Sequence, residues 1–153
     1  MDGSRQSAAA LDWAADLALN TGAEIVAIHA FDLAPYGPGA MGPPHTFHPG
    51  AVADSLVHEL EDSSCAPLRQ RDVAYRAVFR EGRPGVELLR VAAEESADLI
   101  VVGNRGRGGL RELLLGSVAH HVTHHASHPV VVVRSRVALA IEQAPATASG
   151  GAA

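Results

Sequence analysis

The chain has 153 residues, a length that fits one domain with a single hydrophobic core. Hydrophobic residues make up 47% and charged residues 19%, which is typical of a folded protein and excludes an intrinsically disordered one. The formal net charge of −5 gives no electrostatic reason to expect a nucleic-acid or membrane-surface partner. With one cysteine, no signal pattern at the N-terminus and no apolar run near the ~20 residues of a membrane helix, we expect a cytoplasmic protein.

The chain begins with a helical pattern followed by a strand pattern. Ser4 is a candidate N-cap for a helix over 4–21, which carries a stripe of leucine and alanine. Gly22 stands in the usual stop position of that helix. The apolar, β-branched run over 23–31 then predicts a strand that is buried on both faces.

The middle of the chain starts with a segment of unusual composition. Nine of the 18 residues in 33–50 are Pro or Gly, which predicts a long loop. A second helix is predicted over 51–71, a second strand over 74–81 and a third helix whose stripe contains Val86, Leu89, Ala92 and Ala93. Residues 98–102 form the next strand pattern.

The last third of the chain predicts a helix, a strand and a tail. Gly116 and Ser117 open a helix in which Val118, Val122 and Ala126 recur at helical spacing. A valine-rich strand follows over 129–134. We expect one domain over 1–136 and a mobile tail over 137–153, whose end is rich in Ala, Gly, Ser and Thr.

Helices that alternate with buried strands predict the α/β fold class, with one mostly parallel sheet and helices on both of its faces. Ligands of such sheets bind at the carboxyl ends of the strands, near a topological switch point. Gly103 follows the strand over 98–102 and therefore lies where a ligand is expected.

A glycine motif of the form G-x2-G-x9-G-S lies between that strand and the helix after it. It consists of Gly103, Gly106, Gly116 and Ser117. Backbone N–H groups in such a loop, together with those of the first helical turn, can bind an anion such as phosphate. The sequence has neither the GxxxxGK[ST] pattern of a P-loop nor the GxGxxG dinucleotide fingerprint. The alternative is a glycine-rich turn with no ligand.

The motif resembles that of the universal stress protein family in its nucleotide-binding form. The similarity runs from Asp2 to Arg134 and includes Asp2-Gly3-Ser4, His29-Ala30, Gly82-x-Pro84 and the run that starts at Pro129. The fold that the resemblance implies is a five-stranded parallel sheet in the order 3-2-1-4-5. This arrangement is Rossmann-like and similar to the adenine nucleotide alpha hydrolase fold.

The ligand that the resemblance implies is ATP, alone or with Mg²⁺. Asp2 and the backbone of Ala30 would contact adenine. The implied ribose and phosphate contacts are Val102, Gly103, Arg105, Gly106, Gly116, Ser117 and Val118. Without a Cβ, Gly103 and Gly106 can approach phosphate closely and adopt a positive φ, while the helix that starts after Gly116 directs its N–H groups and its dipole at an anion.

One feature departs from the family pattern. The family has a strand before the Asp-Gly-Ser segment, in the middle of the sheet, and its removal would leave unpaired backbone groups between the strands over 23–31 and 98–102. Three explanations stay open, of which the first is favoured: a true start upstream of Met1, a rearranged sheet, or another segment such as 137–141 in the gap. If the chain begins at Met1, little in the sequence fixes Asp2.

Histidines crowd the helix that follows Gly116. Those at positions 120 and 124, 121 and 125, and 124 and 128 have the four-residue spacing that can share a metal ion. No carboxylate or cysteine accompanies them and no HExxH pattern occurs, so the sequence favours a polar helix face and predicts no metal site.

The sequence has no GxSxG or CxxC pattern and no visible base for ATP hydrolysis, so we predict a binding protein with at most slow hydrolysis and no catalytic residue. The leading hypothesis is a cytoplasmic stress-response regulator that binds ATP and acts on an unidentified regulatory protein. The alternative is a nucleotide-independent interaction module of the same fold. The strand over 129–134 lies at the sheet edge in the family order, and an exposed edge of this kind predicts a homodimer.

Overall fold

The computed structural model describes residues 1–32, 58, 62, 64–106 and 115–134. In chain order these form α1 (Arg5–Thr21), β1 (Ile25–Phe31), α2 (Ala66–Gln70), β2 (Tyr75–Glu81), α3 (Pro84–Glu94), β3 (Ile100–Gly103), α4 (Ser117–His125) and β4 (Val130–Val133). None of the described helices is long and apolar enough to span a bilayer. The predicted loop over 33–50, most of the predicted helix over 51–71 and the tail over 137–153 lie outside the described residues.

Local signals in the sequence set both ends of α1. The Ser4 side chain accepts a hydrogen bond from the Ser7 backbone N–H at 3.1 Å, which is the expected N-cap. Gly22 has a left-handed backbone with φ 71°, and its N–H donates to the Ala18 carbonyl at 2.8 Å. A left-handed C-cap favours glycine because a Cβ would be strained there.

The strands of the described residues form two parallel pairs. β1 pairs with β2 from Ile25↔Tyr75 to Phe31↔Glu81, and β3 pairs with β4 from Ile100↔Val130 to Gly103↔Val133. Within the described residues no strand joins β1 to β3, and the structure therefore contains two two-stranded sheets. The break in the sheet lies between β1 and β3, the place where the family pattern has the strand that precedes the Asp-Gly-Ser segment.

Two apolar clusters pack on opposite faces of the strands. The first contains Leu11, Ala15, Ala18, Ala27, Cys65, Leu68 and Val73. The second contains Ala92, Ile100, Val102, Ala119 and Val122. Alternate residues of a strand face opposite sides, so Val102 points to α3 and α4 while Gly103 faces Gln6 of α1. Since α1 also contacts β1, β3 and β4, it ties the two strand pairs together.

The buried side of α3 differs from the predicted stripe. Ala93 is exposed, and Glu87 is buried with only 4% of its surface accessible. The Glu87 carboxylate forms an ion pair with Arg90 at 3.2 Å and packs against Gly82, whose φ of 138° favours glycine. A carboxylate in a helical pattern indicates a solvent-exposed face, so the sequence did not reveal this buried charge.

Candidate functional site

A cavity of about 710 Å³ lies between β1 and β3. Side chains of α1 such as Leu11 and of α3 such as Val91 line it, and it reaches from Glu24 to Ala30 along β1. All of the predicted site residues line this one cavity: Asp2, Ala30, Val102, Gly103, Arg105, Gly106, Gly116, Ser117 and Val118. The structure therefore brings them together, and their individual roles in binding stay predictions.

The first two glycines of the motif lie close to the N-terminal part of the chain. A Cβ on Gly103 would stand 2.6 Å from the backbone oxygen of Gln6, and a Cβ on Gly106 would stand 2.6 Å from Oδ2 of Asp2. Neither glycine has a positive φ, so the expectation of a left-handed backbone at these positions is wrong. Close approach of the Gln6 backbone, rather than backbone conformation, is what requires glycine at position 103.

The third glycine closes the loop onto α4. A Cβ on Gly116 would stand 3.1 Å from the Cα of Arg105. The Gly116 N–H donates to the Asn104 carbonyl at 2.8 Å, and the Asn104 N–H donates to the Val133 carbonyl at 2.8 Å. The loop after β3 is thus fixed both to the start of α4 and to the end of β4. The sequence does not point to Asn104, because this residue acts through its backbone N–H and carbonyl groups, which every residue type except proline has.

The first turn of α4 is open to a ligand. Gly116 is its N-cap and provides no side-chain hydrogen bond. The N–H groups at the start of a helix have no intrahelical partner, and they carry the positive end of the helix dipole. Ser117 is exposed, and its hydroxyl has no hydrogen-bond partner in the described part of the chain. This turn can therefore bind an anionic group through backbone N–H groups and one hydroxyl.

Hydrogen bonds hold Asp2 beside this loop, which differs from the expectation that little would fix it. Its Oδ1 accepts from the Ser4 backbone N–H at 2.9 Å, and its own N–H donates to the Ser7 hydroxyl at 3.4 Å. The Met1 backbone nitrogen donates to the Ile28 carbonyl. The carboxylate therefore lies at the carboxyl end of the cavity, next to Gly106.

The opposite end of the cavity carries a different set of charges. The Arg76 Nε lies 3.5 Å from Oε1 of Glu24, and the Arg76 guanidinium also forms an ion pair with Glu95. Two carboxylates surround one guanidinium there, so this end does not attract an anion. Among the described residues no group of three histidine, cysteine or carboxylate side chains is placed to hold a metal ion.

Comparison with known proteins agrees with this fold. The sequence model of the universal stress protein family matches residues 1–134. The universal stress protein YxiE of Bacillus subtilis is 33% identical over 141 residues, which cover 88% of this chain and 95% of YxiE.

Two solved structures are similar to this one. Hypothetical protein MJ0577 has a TM-score of 0.73 at 23% identity, covering 89% of this chain and 92% of MJ0577. A universal stress protein solved in complex with cAMP has a TM-score of 0.57 at 28% identity, covering 88% of this chain and 91% of that protein. The family match over most of the sequence, together with YxiE, shows that the chain belongs to the universal stress protein family.

Proposed function

We propose that this protein binds an adenine nucleotide, ATP, at the carboxyl end of the cavity between β1 and β3. The observation that supports this most directly is the convergence of Gly103, Gly106 and Gly116 with the open first turn of α4 on one cavity. Such a loop, together with the first turn of the helix after it, offers backbone N–H groups to phosphate. The residues present fit the phosphates of a nucleotide.

The adenine side of the proposal rests on Asp2 and Ala30. Both line the cavity, one at the start of α1 and the other near the carboxyl end of β1. The cAMP complex of a relative that is 28% identical supports an adenine ligand in this family. We also propose that the two strand pairs are parts of the 3-2-1-4-5 order, with β2–β1 and β3–β4 on either side of the cavity.

Calorimetric titration of the purified chain with ATP, with and without Mg²⁺, tests the proposal after any copurified nucleotide has been removed. We expect one ATP per chain. In Gly116→Val, the new side chain meets the backbone of Arg105 and should abolish binding. If the unsubstituted chain binds no ATP, the alternative of a nucleotide-independent interaction module is favoured instead.

A charge change at Ser117 separates folding from binding. In Ser117→Asp, a carboxylate at the start of α4 complements the helix dipole, so the thermal midpoint should hold or rise. The same carboxylate repels phosphate, and two unit charges about 4 Å apart interact by about 1 kcal/mol even in bulk water. We therefore expect ATP affinity to fall by about fivefold or more.

Ser127→Asp is the matched control for this charge change. Ser127 is exposed, lies after α4 and does not line the cavity. The Ser127→Asp variant adds the same charge to the protein, and its affinity for ATP should stay within twofold of that of the unsubstituted chain. An equal loss of affinity in both variants would contradict a phosphate site at the start of α4.

The cellular role that we propose is that of a cytoplasmic stress-response regulator. The nucleotide would alter the shape of the protein or its contacts with a regulatory protein, with at most slow hydrolysis. Release of phosphate from ATP at a rate that depends on the glycine motif would contradict this binding role.

A homodimer through the edge of β4 is part of the proposal, because β4 pairs only with β3 within the described residues. Sedimentation as a monomer at micromolar concentration would contradict the dimer.

A further inference from the structure

Four histidines of α4 form two stacked pairs on its surface. The rings of His120 and His124 have centroids 4.2 Å apart at an interplanar angle of 30°. Those of His121 and His125 have centroids 4.3 Å apart at 22°. Each pair joins residues one helical turn apart, which is the spacing that lets two imidazoles share a metal ion.

Backbone hydrogen bonds fix the tautomer of one ring in each pair. The Nδ1 of His124 lies 2.9 Å from the His120 carbonyl, and the Nδ1 of His125 lies 2.8 Å from the His121 carbonyl. A carbonyl oxygen only accepts, so Nδ1 carries the hydrogen and Nε2 of the neutral ring keeps its lone pair. Histidines that bind metals have this arrangement, with the second ring nitrogen donating to a backbone carbonyl.

The two pairs differ in their surroundings. His121 packs against α3, where a Cβ on Gly85 would stand 2.8 Å from its Cδ2. This contact leaves the His121 ring less room to tilt than an exposed ring has. His120 and His124 are both exposed, and no ring nitrogen of His120 has a hydrogen-bond partner among the described residues.

We propose that His120 and His124 bind one divalent transition-metal ion through their imidazole nitrogens. Imidazole suits zinc, copper and nickel. Metal–nitrogen bonds of about 2.0 Å would require the two nitrogens to approach about 3 Å, and exposed rings can tilt to reach that distance. Water completes the shell, since no third ligand from the described residues is placed nearby. This site is independent of the nucleotide proposal, because neither histidine lines the cavity.

Calorimetric titration with Zn²⁺ on the untagged chain, in a buffer without phosphate or chelator, tests this inference. His124→Ala removes one proposed ligand. His125→Ala is the matched control, because it removes a ring with the same spacing and the same carbonyl hydrogen bond on the same helix. Far-UV circular dichroism of both variants verifies that α4 is retained.

We expect one Zn²⁺ per unsubstituted chain, a loss of affinity of about tenfold or more in His124→Ala, and affinity within twofold in His125→Ala. Three results would overturn the inference. The first is no binding by the unsubstituted chain, and the second is an unchanged affinity in His124→Ala. The third is a loss in His125→Ala as large as that in His124→Ala, which would show that the choice between the pairs is wrong.

Discussion

The two strand pairs contribute unequally to the candidate site. The β3–β4 pair and the loop after β3 supply Val102, Gly103, Arg105 and Gly106, whereas Ala30 is the only predicted site residue on the β1–β2 pair. Backbone hydrogen bonds fix the loop to α4 and to β4, while no described strand pairing reaches it from β1. The proposed phosphate contacts therefore come from one half of the fold, and the proposed adenine contact at Ala30 depends on how the other half is held against it.

Truncation of the core beside β1 is expected to give the largest effect. Leu68 is fully buried in the cluster that joins α1, α2 and β1, and Leu68→Ala should lower the free energy of unfolding by about 3 kcal/mol. Because α1 contacts both strand pairs, unfolding should remain a single transition. Urea titration followed by circular dichroism and by the fluorescence of Trp13, the only tryptophan, measures both quantities. Two separate transitions would show that the halves are independent.

A smaller effect is expected where α1 meets β3. In Gly103→Ala the new Cβ meets the backbone oxygen of Gln6, which cannot rotate away, and we expect a loss of about 2 kcal/mol. Gly85→Ala is the matched control, because its Cβ would meet the side chain of His121 and because alanine favours a helix over glycine by about 1 kcal/mol. Chemical denaturation measures the free energy of unfolding of both variants. If Gly85→Ala destabilises the protein as much as Gly103→Ala does, the special role of the α1–β3 contact is contradicted.

The smallest effect is expected at the charged end of the cavity. Arg76 joins Glu24, next to β1, to Glu95 at the end of α3, and all three side chains are partly exposed. Arg76→Gln should cost less than about 1 kcal/mol, and the cost should shrink in high salt. Arg71→Gln is the control, because it breaks an ion pair with Asp16 of α1 that lies away from the cavity. The free energy of unfolding of both variants is measured at low and at high ionic strength. If the stability lost in Arg76→Gln persists in high salt, the electrostatic role of Arg76 is contradicted.

Local chemistry explains what the sequence could predict. Ser4 and Gly22 set the ends of α1 through contacts within four residues, and such signals can be identified from residue types alone. The α/β class and the strand positions followed from periodic apolar runs. The glycine motif lies between the end of β3 and the start of α4, and this position in the chain predicted that its residues would lie near one another at the carboxyl end of the strands.

Long-range contacts explain what could not be predicted. The closeness of Gly103 to Gln6 joins residues almost a hundred positions apart, and only their packing reveals why that position is glycine. The burial of Glu87 depends on the backbone of Gly82, which residue types do not encode.

The burial of Cys65 gives the protein an internal reporter of its own motions. Its side chain is fully inaccessible and lies in the cluster with Leu11 and Leu68. A thiol reagent can reach Cys65 only when α1 or α2 moves away, so the rate of labelling measures the open fraction of molecules. A ligand that binds only the closed form lowers that fraction in proportion to its saturation. Labelling kinetics on the unsubstituted chain would therefore follow ligand binding without any added probe.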